Sequence, residues 1–211
     1  MAFLKNAAKY LIPFVLYLAV TPVLGLFLDE PMYAGYVIKT ILVTAVLLYY
    51  WKQYNIRFRL DFLAIGIGIA IFLLWVGIEG FYPHIGEPSA FNPYLFEGFT
   101  AVLLIIIRVF GAIVTASIVE ELFVRSFLIR YLVKEDFENV RQGTFTWLSF
   151  IITVLFFGFS HQRWLAGIIT GVLLTLLLYK RKNIGSCIIA HSVANACLAA
   201  FVLTTENWFF W

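Results

Sequence analysis

Residues 99–119, FTAVLLIIIRVFGAIVTASIV, form a run of 21 residues with a single charge, Arg108. About 20 apolar residues in a helix match the ~30 Å hydrocarbon layer of a bilayer. A backbone in hydrocarbon must also satisfy its own hydrogen bonds, which a helix does. Apolar segments of this kind recur at 10–28, 33–51, 60–81, 99–119 (continuing as helix to about 132), 144–160, 164–180 and 184–204. Composition agrees. The chain is 63% hydrophobic and 13% charged, against about 45–50% and about 25% in soluble domains. The expected fold is all-α: a polytopic membrane helical bundle of seven transmembrane helices. An eighth, re-entrant or broken helix is the alternative. Residues 1–211 then make a single transmembrane domain with no room for a soluble one.

Charge sets the expected topology. Lys5 and Lys9 precede the first span, which lacks a clear cleavage site and so reads as retained. Lys52, Arg57 and Arg59 follow the second span, Arg130, Lys134 and Arg141 the fourth, and Lys180, Arg181 and Lys182 the sixth. The alternate loops carry Asp29, Glu30, Glu79, Glu87 and Glu97, with Arg163 as the main basic exception. Basic loops stay cytoplasmic, so the N-terminus is expected inside and the C-terminus outside. The net charge of +3 is too small to point to nucleic acid. ENWFFW, 206–211, has the composition of an interfacial aromatic belt, and the proline-rich stretch 82–98 is the clearest long loop.

Ionisable groups inside a bilayer cost about 2.5–3.5 kcal/mol each on insertion scales and are functional candidates by default. Five places qualify: Arg108, the group Glu120–Glu121–Arg125, His161, His191 and Asn195. Glu121 and Arg125 are spaced i, i+4 with the acid first, the favourable order for a helical ion pair. Glu120 points about 100° away. One acid is thus expected to be neutralised and the other available. His191 and Asn195 are also i, i+4 and share a helix face, with Cys187 one turn earlier. Each feature has a plain structural explanation: a buried ion-pair network, an interfacial histidine, or an interhelical hydrogen-bond pair.

Their conjunction suits one task. A carboxylate, two imidazoles and a carboxamide on three apolar helices could activate water against an acyl group. The carboxylate would act as general base, a histidine would hold the water, and the remaining donors would face an oxyanion. The same residue types also form a set for a divalent metal such as zinc, through Glu120, His161 and His191, although no HExxH is present. A transporter or an acyltransferase using Cys187 ranks lower, because neither an inverted repeat nor a thiol-activating neighbourhood is visible.

Three motifs then appear in order on successive hydrophobic segments: EELFVR (120–125) as EExxxR, FGFSH (157–161) as FxxxH, and HSVAN (191–195) as HxxxN. Together they resemble the CAAX prenyl protease and bacteriocin-processing family of intramembrane endopeptidases, over a core of about 100–205. VRSFLIRYLV and RWLAGIITG look like its bacterial, exosortase-associated branch. The resemblance implies that Glu120 activates water with His161 as its partner. It implies that His191 and Asn195 stabilise the oxyanion, and that Glu121 and Arg125 support the site. It further implies a membrane-anchored peptide or protein substrate and a bacterial inner membrane location, with either a glutamate-type or a metal-dependent mechanism. Some members of the family are non-catalytic immunity or scaffolding proteins, which is the alternative function.

One expectation conflicts with the others. Glu121 and His191 lie about 14–15 Å along their helices from the basic loops, whereas a span running 144–160 puts His161 about 25–30 Å away. The conflict disappears if that span begins late, tilts or is broken.

Overall fold

The computed structural model describes residues 2–28, 31–86 and 90–211. Asp29, Glu30 and Glu87, used above as charge markers, lie outside the described residues. The fold is an all-helical bundle of seven long helices, with no strand among the described residues. They are α1 (Ala2–Leu24), α2 (Pro31–Tyr50), α3 (Phe62–Gly77), α4 (Gly98–Tyr131), α5 (Trp147–Phe159), α6 (Trp164–Arg181) and α7 (Ile184–Thr205). Helices α1 and α2 pack together, as do α5 and α6, and α3 lies along α7. Helix α4 runs through the middle and contributes Leu122, Val119 and Val124 to the main core.

Five of the seven are long and apolar enough to cross a bilayer; α3 and α5 are shorter apolar helices. This corrects the lengths expected for 60–81 and 144–160. With 16 and 13 residues, α3 and α5 rise about 24 and about 20 Å, short of the ~30 Å layer. Helix α5 begins late because Thr146 caps it, accepting from Ser149 N at 3.2 Å. The chain turns at Ser160–His161 and returns as α6. The turn is held by residues 83–85, which reach down to it. Ile85 N donates to Gln162 O at 2.9 Å and Trp164 Nε1 to Pro83 O at 2.9 Å. Arg163, the exception to the charge pattern, donates from Nε to Glu79 at 2.8 Å and from Nη2 to Phe209 O at 3.1 Å. The late start shortens the run to His161 to about 21 Å, and the packing of the helices brings its ring 3.8 Å from Glu120.

Small residues let α5 and α6 approach closely. A Cβ on Gly167 would lie 3.0 Å from Gly158 Cα, and one on Gly171 would lie 3.3 Å from Val154 Cα. The GxxxG of GIITG therefore closes a contact within the chain.

At the basic end, Asp61 ties three helices together. It caps α3 by accepting from Leu63 N and Ala64 N at 3.1 and 3.2 Å. It accepts from Arg181 Nε and Nη2 at the end of α6, at 2.9 and 2.8 Å, and from Ser186 Oγ in α7 at 2.8 Å. Burial pushes its carboxyl up, but the hydrogen bonds from Arg181, Ser186 and Ala64 outweigh this and hold it below the ordinary value. A depressed folded-state pKa means the contribution is full above the unfolded-state value of about 4. It is lost as pH falls through the lower folded-state value. Asp61→Ala should lower stability by about 2–3 kcal/mol, read as a lower melting midpoint in detergent at pH 7. The gap from wild type should shrink on acidification below pH 4.

Candidate active site

Helix α4 is not a regular α-helix. It changes to π geometry at Gly111–Ala116 and again at Leu122–Leu128, on either side of the five residues Ser117–Glu121. A π turn breaks the i→i−4 ladder and leaves carbonyls for other donors. Helix α7 supplies these donors. Asn195 Nδ2 donates to Ala112 O at 2.8 Å and to Ser117 Oγ at 3.1 Å, and Ser192 Oγ donates to Ile113 O at 2.7 Å. The asparagine of the HxxxN motif thus fastens α7 to the first π segment, and both its amide hydrogens are engaged.

One turn towards the basic end, the two acids take different roles. Glu121 is fully buried, and its Oε1 accepts from Arg125 Nη1 at 2.9 Å and lies 3.0 Å from His191 Nδ1. Arg125, also fully buried, reaches Gly171 O at 3.4 Å and places its guanidinium 4.1 Å from the centre of the Phe157 ring. The i, i+4 pair forms as the spacing predicts, with His191 as a third member.

Glu120 faces the other way. Its Oε2 is buried with no hydrogen-bond partner among the described residues, 3.8 Å from His161 Nε2. Tyr17 of α1 lies beside the same carboxylate. His161 is oriented from its far side: Nδ1 lies 2.7 Å from Phe157 O, which can only accept, so Nδ1 carries a proton and Nε2 is turned towards Glu120. Trp75 packs edge-on against the imidazole with centroids 5.6 Å apart.

These groups line one cavity of about 190 Å³, which contains Glu120, His161, His191 and Asn195 together with Tyr17, Tyr36 and Arg108. All four expected site residues therefore meet, while Glu121 and Arg125 stand behind them in the core. Cys187 does not reach the cavity. It is fully buried, and its thiol points to Leu174 O at 3.5 Å.

Three contributors escaped the sequence reading. Phe157 was legible only as a motif letter, yet its ring touches Arg125, His161 and His191. Tyr17 is an unremarkable aromatic in a span. Lys39, however, lies within the second span, and the rule that singled out Arg108 applies equally to it.

A zinc ion needs its nitrogen and oxygen donors about 2.0–2.2 Å from one point. Glu120 and His161 offer two donors, and His191, with Nδ1 turned to Glu121, keeps Nε2 as a third. Among the described residues no three His, Cys, Asp or Glu side chains are grouped to hold a metal. The set Glu120, His161 and His191 does not fit a metal in this arrangement.

Two carboxylates side by side on a buried helix, one locked by arginine and one facing a histidine, are what the EExxxR and FxxxH motifs build. Residues 100–197 match the Rce1-like family, described as type II CAAX prenyl endopeptidase Rce1-like. The match supports a protease-like enzyme embedded in the membrane and agrees with the resemblance carried by the three motifs. Comparisons with curated proteins and with solved structures returned no match. The Rce1-like segment holds every motif residue, but the cavity also draws Tyr17, Tyr36 and Trp75 from α1–α3, which lie before it.

The Phe157 ring is the joint between the locked network and the free acid. Phe157→Leu removes the cation–π contact and leaves space beside both imidazoles, so it should cost about 2–3 kcal/mol. Phe159→Leu, on a residue 56% exposed, should leave the melting midpoint unchanged in the same assay.

Proposed function

We propose that the chain is an intramembrane endopeptidase that hydrolyses a peptide bond of a membrane-anchored peptide or protein, with Glu120 as general base. The observation that carries this reading is the Glu120 Oε2–His161 Nε2 separation of 3.8 Å. It is too long for a direct hydrogen bond and wide enough for one water to bond both atoms. The water donates one hydrogen to each, leaving an oxygen lone pair for the scissile carbonyl carbon. As the C–O bond forms, Glu120 takes the proton. As the C–N bond breaks, it passes that proton to the leaving amine.

The tetrahedral oxyanion needs donors that are in place beforehand. His191 lines the cavity with Nδ1 satisfied by Glu121. With Nδ1 turned to Glu121, Nε2 is the ring atom left to face the oxyanion. Asn195 reaches an oxyanion only by giving up its bond to Ala112 or Ser117, so its first duty is to hold the π segment. The charge pattern supports an orientation with the N-terminus cytoplasmic, and the family resemblance supports a bacterial inner membrane.

The test is cleavage of membrane-anchored peptides by purified protein in proteoliposomes, with products read by mass spectrometry. Glu120→Gln should lower turnover by about 10²–10⁴-fold, and a chelator should leave wild type unaffected. Products formed equally by Glu120→Gln would remove the general base from the account. Loss on chelation that added metal reverses would replace it with a metal mechanism.

A further inference from the structure

Arg108 lies within α4 and lines the same cavity as Glu120. An arginine at that depth ordinarily has a carboxylate or carbonyl to bond. Among the described residues this guanidinium has neither. Its Nε is buried without an acceptor. It lies instead among rings, 4.4 Å from the Tyr36 centroid, 5.2 Å from Phe91 and 5.7 Å from Trp211.

Lys39 of α2 repeats the pattern. Its Nζ sits 4.6 Å from the Tyr17 ring centre and 4.9 Å from that of Tyr36, with no ion-pair partner among the described residues. Two cations thus share the Tyr36 ring, close enough to repel each other. Glu120 is near enough to influence Lys39, but it pairs with neither cation, and its free oxygen faces His161. Cation–π contacts offset only about 0.5–2 kcal/mol each. The arrangement places an excess of positive charge beside a cavity that already contains a peptidase-like acid, and Arg108 itself lines that cavity.

We infer that Arg108, backed by Lys39, is a carboxylate-binding subsite for the substrate peptide. The carboxylate is either the peptide's C-terminus or an acidic side chain. This rests on the peptidase reading above. Position sets the register. Arg108 and Glu120 are twelve residues apart on α4, about 18 Å at most along the axis. An extended peptide spans that in about five residues. The recognised carboxylate therefore lies within about five residues of the scissile bond. A planar guanidinium takes a carboxylate through two parallel hydrogen bonds, which lysine cannot reproduce.

The test is binding, so that it does not depend on hydrolysis. Glu120→Gln protein in nanodiscs is titrated with a lipidated, fluorescein-labelled heptapeptide of Ala and Leu in three forms: C-terminal acid, C-terminal amide, and amide with Glu at the fifth residue. At least one carboxylate form should bind about 10-fold tighter than the plain amide. Preference for the acid alone identifies the C-terminus, and preference for the Glu peptide identifies a side chain. Arg108→Gln, added to Glu120→Gln, should abolish the preference, Arg108→Lys should restore part of it, and Lys39→Gln should reduce it. Melting midpoints confirm that each variant is folded. Equal affinities for all forms, no binding by either carboxylate form, or a preference that survives Arg108→Gln would overturn the subsite. A carboxylate preference in a chain whose wild type cuts nothing would leave the subsite standing and remove the peptidase reading.

Discussion

The buried contact between Glu121, Arg125 and His191 is the constraint on which the site depends. A charge taken out of water without partners costs several kcal/mol. Glu121 and Arg125 are both inaccessible to solvent, so each requires the other. The pair needs two further elements to complete it: Gly171 O of α6 and His191 of α7. Phe157 of α5 covers the guanidinium. One interaction thus sets the relative positions of α4, α5, α6 and α7, and the three motifs lie on α4, α5 and α7.

The neighbouring acid gains its freedom from the same contact. Consecutive residues on a helix point about 100° apart, so locking Glu121 into the core directs Glu120 to the cavity. There it has no partner among the described residues at hydrogen-bond distance on Oε2. The π segments on either side accommodate a helix face that packs against α7 and also leaves space beside it. They do so by giving Ala112 O and Ile113 O to Asn195 and Ser192. On the proposed peptidase reading, stability and reactivity are divided between adjacent side chains.

Much of this was legible in the sequence. Seven apolar runs gave seven helices, and the i, i+4 order of Glu121 and Arg125 gave their ion pair. The lengths of α3 and α5 were not legible, because hydropathy does not register a cap at Asp61 or Thr146. Nor does it register a loop that descends to bond Gln162 and Trp164. The π geometry was also hidden, since no residue pattern in GAIVTA or LFVRSFL marks it. Without it the engagement of Asn195 could not be foreseen. Arg108 stood out in the sequence only as a charge within a span; in the structure it stacks on Tyr36 without a carboxylate partner among the described residues. The absent anion is what distinguishes a structural arginine from a recognition group.

The most direct measurement of this division of labour is the melting of Glu120→Gln beside Glu121→Gln in one detergent. Breaking a buried pair by removing one partner costs about 3–5 kcal/mol, so Glu121→Gln should melt several degrees below wild type. Glu120→Gln neutralises a carboxylate that no arginine or lysine pairs among the described residues and should melt at or above wild type. Equal losses in the two variants, or a greater loss in Glu120→Gln, would contradict the account.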